Sequence, residues 1–377
     1  MKIAILTFWN SNDNYGQILQ GYALQSYLKK LGHSAYIVRY EERKTYPAIF
    51  QERGLKPFIK RIIKWTLHNK DYKKQRNAYR KNCLRQFHLF KQKMEYSSQR
   101  YFSYNELMGN PPVADMYITG SDQVWGRIPT MAKEQPYFLK FGAKNVKRVA
   151  YAASIGSSDF FNTHPDVLKT LTKEIDHISI REHSKLPLFE KNNIAATWVL
   201  DPVFLLERED YLSLCSKQRT EKGIFIYAVN IENGSEIKID ELKQFARAKG
   251  MQLTATLSSG YFPFSECLGN DIKYIYPTIE EWIREINSAE TVVTTSFHGV
   301  MLSIILHKEF VYLPLKSAFS KGNDRVTSLL DVLGLSNRVL QTSYSEILNK
   351  KICWDKVDEI LNRKREISKE FLKECGC

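Results

Sequence analysis

The stretch Thr291-Val-Val-Thr-Thr-Ser-Phe-His-Gly-Val-Met-Leu-Ser-Ile-Ile-Leu-His-Lys-Glu-Phe-Val-Tyr-Leu-Pro314 reads as strand, sharp polar turn, buried helix and second strand. Its β-branched run, 291–295, ends in Ser296, Phe297, His298 and Gly299. A helix starting there exposes unpaired backbone N–H groups and a positive dipole end, which suits phosphate or carboxylate. His298 and Gly299 stand beside that anion site. Two roles fit His298: a hydrogen-bonded structural residue, or a proton-transfer group at the carboxyl end of a strand.

Around this stretch the second half alternates strands and helices. Strands are expected at 224–229, 252–257, 272–276 and 310–313, with a helix over 236–249 closed by Gly250. Thr278 and Glu281 form a capping box for a helix carrying Trp282, Ile283 and Ile286. Lys316, Lys321 and Arg325 follow the last strand, near where an anion at the Ser296 turn would lie.

The first half opens as β-α-β, with a strand at 2–8, a helix over 17–31 and a strand at 35–40. Gly-x-Gly-x-x-Gly is absent, which argues against a dinucleotide. The intervening loop, with Asn14, Tyr15 and Gly16, is either a substrate loop or an ordinary Asn/Gly turn. A strand at 113–119 runs into Gly120-Ser-Asp-Gln-Val-Trp125, where Asp122 would bond sugar hydroxyls, accept a proton or simply cap a helix. The strand at 148–154 leads to Ser154 and Gly156, whose hydroxyl and amide suit an oxyanion. After the strand at 178–180, Arg181 would bind phosphate or carboxylate through two hydrogen bonds, or pair with Glu182 or another acid. A strand at 198–200 leads to Asp201-Pro202, and the polar stretch 207–223 reads as a boundary.

The pattern predicts two doubly wound, Rossmann-like α/β domains facing a cleft, 1–206 and 207–377. The closing helix, 354–373, is expected to cross back onto the first domain.

Charge is uneven along the chain. Between Gly54 and Arg100 there are 14 Lys/Arg against Asp71 and Glu95, leaving 41 basic and 39 acidic residues elsewhere. With Phe58, Ile59, Ile62, Ile63 and Trp65 at helical spacing, 54–100 reads as a basic helical insertion. It would be a solvated face or a surface for anionic lipid; no nucleic-acid motif accompanies it. Six scattered cysteines, with no disulfide framework and no zinc spacing, suit a reducing compartment. The opening apolar run is too short for a signal peptide or membrane span. A cytoplasmic protein, peripheral at the inner membrane face through the basic segment, is the expectation.

The signature Thr-Thr-Ser-Phe-His-Gly, followed by an apolar helix and Phe-Val-Tyr-Leu-Pro, resembles that of the polysaccharide pyruvyl transferase family. Asn12-Asp-Asn-Tyr-Gly16, Ile118-Thr-Gly-Ser-Asp-Gln-Val-Trp125, Ala152-Ala-Ser-Ile-Gly156, Ile178-Ser-Ile-Arg-Glu182 and Leu200-Asp-Pro-Val-Phe204 resemble further family blocks, in the family's order. The resemblance implies a glycosyltransferase-B-like architecture, no cofactor, and transfer of pyruvate from phosphoenolpyruvate to a sugar as a cyclic ketal. On that reading His298 is the acid or base, with Asp122 orienting or deprotonating the acceptor. Arg181, Ser154, Gly156, Ser296, Gly299, Lys316, Lys321 and Arg325 would hold the donor, and Asn14, Tyr15, Gly16 and Trp125 the acceptor. The acceptor is expected to be lipid-linked. Better-known members resemble Thr-x-Arg-Leu-His where this chain has Thr-Thr-Ser-Phe-His. Either Lys316, Lys321 or Arg325 replaces the missing charge, or the donor differs. A nucleotide-sugar glycosyltransferase of the same architecture and a non-catalytic glycan-binding protein are the competing readings.

Overall fold

A computed structural model of the chain describes residues 1–42, 83–126, 135–156, 160–215, 223–258, 267–316, 320 and 322–377. Lys321 and residues 54–82 of the expected basic insertion lie outside them.

The first sheet contains β1 (Lys2–Leu6), β2 (Ser34–Tyr40), β3 (Tyr96–Tyr101), β4 (Met116–Thr119), β5 (Lys147–Ala153), β6 (His177–Ile180) and β7 (Thr197–Trp198). Their order is β3-β2-β1-β4-β5-β6-β7, all parallel. The second contains β8 (Gly223–Val229), β9 (Gln252–Ser258), β10 (Lys273–Tyr274), β11 (Thr291–Thr294) and β12 (Glu309–Tyr312), in the parallel order β10-β9-β8-β11-β12. Apolar and β-branched runs such as Ile3-Ala-Ile-Leu6 and Thr291-Val-Val-Thr294 are buried along their length, as parallel strands covered on both faces require. The two-domain, doubly wound expectation is met. Strand order reverses between β1 and β4 in one sheet and between β8 and β11 in the other, and crevices at such points are where α/β folds bind ligands.

Five helices position the site: α1 (Tyr15–Lys30), α2 (Phe87–Lys91), α3 (Ile279–Ser288), α4 (Phe297–Ile305) and α5 (Trp354–Glu374). Thr278 and Glu281 cap α3 reciprocally, as their spacing predicts. All nine residues of α4 are buried. A helix apolar all round belongs in a core, and each fully buried aliphatic side chain there contributes about 1.5–3 kcal/mol. The first turn of α4, carrying His298, inherits that rigidity.

One apolar cluster joins Ile3, Ile5, Leu19 and Leu24 of the first domain to Trp282, Val292, Val300 and Met301 of the second. Helix α5 lies against the first domain: Arg365 Nε donates to Phe204 O at 2.7 Å, and Ser368 Oγ accepts from Leu200 N at 2.9 Å. Among the described residues no helix is long and apolar enough to cross a membrane.

The reading of 54–100 as a basic insertion is corrected over its last part. Phe87 and Phe90 of α2 are core residues, and β3 is an edge strand of the first sheet. Arg85 is buried between the domains, donating to Tyr15 Oη at 2.5 Å, Thr256 Oγ1 at 3.0 Å and Leu257 O at 2.6 Å. Alternating aromatic and basic residues there reflect buried aromatics and one internal cation rather than a charged face.

Candidate active site

On the second domain the site begins where β11 passes into α4. Ser296 is the N-cap, with extended backbone, and its Oγ accepts from Gly299 N at 3.4 Å. Its own amide donates to Thr294 Oγ1 at 3.0 Å, while that hydroxyl donates to Tyr227 O at 2.6 Å. A Cβ on Gly299 would sit 2.4 Å from Thr294 Oγ1, so the turn closes only around glycine. Ser296 and the Gly299 amide are therefore consumed by the cap. The amides of Phe297 and His298 remain at the positive end of the helix.

His298 is 7% exposed, and its Nε2 is buried without a hydrogen-bond partner, 4.0 Å from Asp201 Oδ2. Burial is the main reason its pKa falls to about 4; Asp201 and Asp122 pull it up, and Arg181 and Arg325 push it down further. At pH 7 the imidazole is neutral. Its other nitrogen, Nδ1, faces Gly16 at the start of α1, where a Cβ would fall 2.0 Å away.

On the first domain, the carboxyl ends of the strands supply charge. Arg181, after β6, is buried; its Nη1 donates to Asp201 Oδ2 at 2.8 Å and lies 3.5 Å from Ser121 Oγ. Asp201, after β7, also receives Ser121 Oγ at 2.9 Å and Val203 N at 3.1 Å. Burial works against the Arg181 charge, but Asp201, Glu182 and Asp122 outweigh it and raise its pKa. The Nε–Nη2 edge of the same guanidinium is buried and makes no hydrogen bond: Glu182 Oε1 is 3.6 Å from Nε, and Asp122 Oδ1 is 3.9 Å from Nη2. An unmade buried hydrogen bond costs about 1–3 kcal/mol, and this edge is a two-donor fork, flanked by the two carboxylates, that no protein atom satisfies. Asp122 is held in the left-handed region (φ 69°), its Oδ1 accepting from Gln123 N at 2.8 Å. Such strain is common at functional positions.

The structure brings together His298, Arg181, Asp122 and Arg325. Both guanidiniums approach the Phe297 ring, Arg181 at 4.7 Å and Arg325 at 6.0 Å from its centroid. Arg325 also reaches the first domain, where the Gln123 side-chain amide lies 3.1 Å from Nη2. Of the three cations expected to stand in for the residue at 296, Arg325 is in the site and Lys316 is exposed on the surface.

Four expectations are corrected. Trp125 is fully buried, its Nε1 donating to Tyr137 O at 2.9 Å and its ring stacked on Phe138, so it cannot touch an acceptor. Tyr15 is fully buried too, bonded to Pro277 O at 2.7 Å and stacked on Trp282. Gly16 packs on His298 rather than lining an acceptor surface; Asn14, half-buried, caps α1 by accepting from Gln17 N at 3.1 Å through Oδ1 alone. Ser154 Oγ donates to Glu182 Oε1 and accepts from Gly156 N at 3.1 Å, so that hydroxyl and that amide are already paired.

Asp201, Ser121 and Glu182 were not among the residues expected in the site. Asp201 carried the same signal as Asp122, an acid just past an apolar strand, but its partner Arg181 is twenty residues away in sequence and only the sheet brings them together. Among the described residues there is no group of three or more His, Cys, Asp or Glu suited to hold a metal ion.

Solved structures with the same fold include UDP-GlcNAc 2-epimerase from Neisseria meningitidis bound to UDP-GlcNAc: TM-score 0.51, 9% identity, covering 99% of this chain and 100% of that one. UDP-N-acetylglucosamine 2-epimerase from Rickettsia bellii gives 0.51 and 10% identity, covering 99% and 95%. An alpha-glucosyltransferase in complex with UDP and a 13-mer DNA containing a HMU base gives the same values. Identities this low establish the fold alone, a glycosyltransferase-B-like pair of Rossmann-like domains. No curated protein matches the sequence. Residues 14–317 match the family described as polysaccharide pyruvyl transferase. With most of its length inside that match, the chain belongs to the polysaccharide pyruvyl transferase family.

Proposed function

We propose that the enzyme transfers pyruvate from phosphoenolpyruvate to two hydroxyls of one sugar, forming a cyclic ketal and releasing phosphate. The observation that carries this reading is the pairing of a buried, unpartnered imidazole with the unsatisfied Arg181 fork. The fork and Arg325 would hold the donor's carboxylate and phosphate, assisted by the Phe297 and His298 amides.

Neutral His298 is a base in the free site. A bound multiply charged anion offsets Arg181 and Arg325, raises the imidazole's pKa and prepares it as an acid. Its proton goes to the methylene carbon, and the cationic C2 is attacked by one sugar hydroxyl. The C2–O bond to phosphate then breaks, and the second hydroxyl attacks C2. Of the two hydroxyl protons, one replaces the proton spent on the methyl group and the other leaves with phosphate, so the balance requires no oxidant or reductant. Asp122 orients the acceptor.

Labelled phosphoenolpyruvate and a lipid-linked saccharide test the reading: phosphate should be released as the saccharide gains a pyruvate ketal. Release of a nucleoside diphosphate from a nucleotide sugar, with phosphoenolpyruvate inert, would replace it with the glycosyltransferase reading. The basic stretch 54–82 would recruit the enzyme to an anionic membrane surface, each Lys or Arg contributing about 1 kcal/mol. Sedimentation with anionic vesicles should then fall as salt rises, and Lys60, Arg61 and Lys64 changed to Glu should abolish it.

A further inference from the structure

We propose that Gly16 is a positioning residue: the first turn of α1, in the first domain, forms the wall that seats the His298 imidazole of the second. The proposal rests on His298 as the proton-transfer group. A Cβ built on Gly16 would lie 2.0 Å from Nδ1, 2.1 Å from Cγ and 2.6 Å from Cβ of His298, so its three nearest atoms all belong to that residue. Non-bonded carbon contacts are favourable only near 3.5–4.0 Å, roughly, so even one methyl group is excluded.

Nothing in the backbone calls for glycine there. Gly16 is the second residue of α1 and is not among the left-handed residues of the chain. Alanine is the better helix former at such a position, so glycine is disfavoured unless space demands it. Neither side of the contact can retreat. Asn14 and Tyr15 are fixed by the cap on Gln17 N and the bond to Pro277 O, and α4 is buried along its whole length. On its far edge, Nε2 looks toward Asp201, 4.0 Å away. The imidazole of one domain is thus plugged into a socket of the other, between Gly16 and Asp201. A methyl at 16 would turn the ring and carry Nε2 away from Asp201 and the Arg181 fork.

The test is a double-mutant cycle with Gly16→Ala and His298→Gly, read as Tm and, separately, as kcat and KM for phosphoenolpyruvate. Alone, Gly16→Ala should lower Tm and reduce kcat by about 100-fold, the scale of a misplacement near 1 Å, while KM changes little because the fork is intact. With His298→Gly all three of those atoms are gone, and Gly16→Ala should leave Tm unchanged or raise it. Equal Tm losses in both backgrounds, or wild-type kcat in Gly16→Ala, would overturn the proposal. If Gly16→Ala alone does not fold, folding of the double variant supports the socket and its failure to fold refutes it. The Tm cycle needs no substrate, so its outcome is independent of whether pyruvate is the group transferred.

Discussion

At the cleft edge of the first domain, Arg181, Glu182, Asp122 and Asp201 crowd their charges together at the ends of β4, β6 and β7. The facing edge of the second domain presents Thr294, Thr295, Ser296 and His298, which are uncharged at pH 7 and whose hydroxyls are absorbed by local caps and strand carbonyls. The difference separates two jobs. One edge supplies most of the field, the other the proton carrier: of the four charges acting on His298, Asp201, Arg181 and Asp122 lie across the domain boundary and Arg325 on its own side. The charged edge should therefore fail by losing structure, and the neutral edge by losing chemistry.

That contrast can be broken at several points, the largest at His298. His298→Ala should cut turnover by about 10²- to 10⁴-fold while lowering the urea midpoint less than Arg181→Ala does, because the unpartnered imidazole contributes packing but no hydrogen bond to the fold. A variant with near-wild-type turnover would make the histidine structural.

Arg181→Ala should do the reverse. Removing one partner of a buried ion pair costs about 3–5 kcal/mol, because Asp201 and its neighbours are left unpaired. Urea unfolding should register that loss, together with weakened phosphoenolpyruvate binding. Replacing both Arg181 and Asp201 by apolar residues should return much of the stability and none of the binding. An Arg181→Ala protein as stable as wild type would show the charged edge to be solvated after all.

The pH dependence sharpens the comparison further. His298 has a folded-state pKa of about 4 against 6.5 in the unfolded chain. Above about pH 7.5 both states are neutral there, and the group does not affect stability. As pH falls through 6.5, the unfolded chain takes up a proton that the native imidazole refuses until about pH 4, so stability is lost across that window. At about 1.4 kcal/mol per pKa unit, the loss approaches roughly 3 kcal/mol. In His298→Asn the same pH series should be flatter by that amount; identical slopes would mean the ring is not buried neutral.

The smallest effect is expected at Ser296. Ser296→Ala removes the cap of α4 and should cost about 1 kcal/mol of stability, against the several expected at Arg181. A loss as large as that of Arg181→Ala would show that the neutral edge, too, depends on one polar contact.

Part of this site was legible before any tertiary structure. An apolar β-branched run followed by Ser-x-x-Gly identifies a strand feeding a capped helix, because period and capping are properties of adjacent residues. Arg181 and Asp122 were readable as polar groups at strand ends for the same reason. Arg325, by contrast, was one of three equivalent cations after β12. Its selection depends on Gln123 and Phe297, which the chain order does not place beside it. Ser154 and Ser296 read as free hydroxyls, yet each is taken by a neighbour.

The sequence alone determined the alternation of strands and helices, the parallel two-domain architecture, the helix starts at Ser296 and Thr278 and, through ordered motifs, the family. These follow from hydrophobic period and turn chemistry, which act over a few residues. Only the tertiary structure decided that Trp125 and Tyr15 are core, that Arg85 joins the domains, that Asp201 anchors Arg181, and that Gly16 yields its space to His298. Each of those outcomes turns on which distant side chain satisfies a hydrogen bond or fills a void. Burial and close packing are properties of the assembled chain, and Gly16 and His298, 282 positions apart, meet only when both domains are in place.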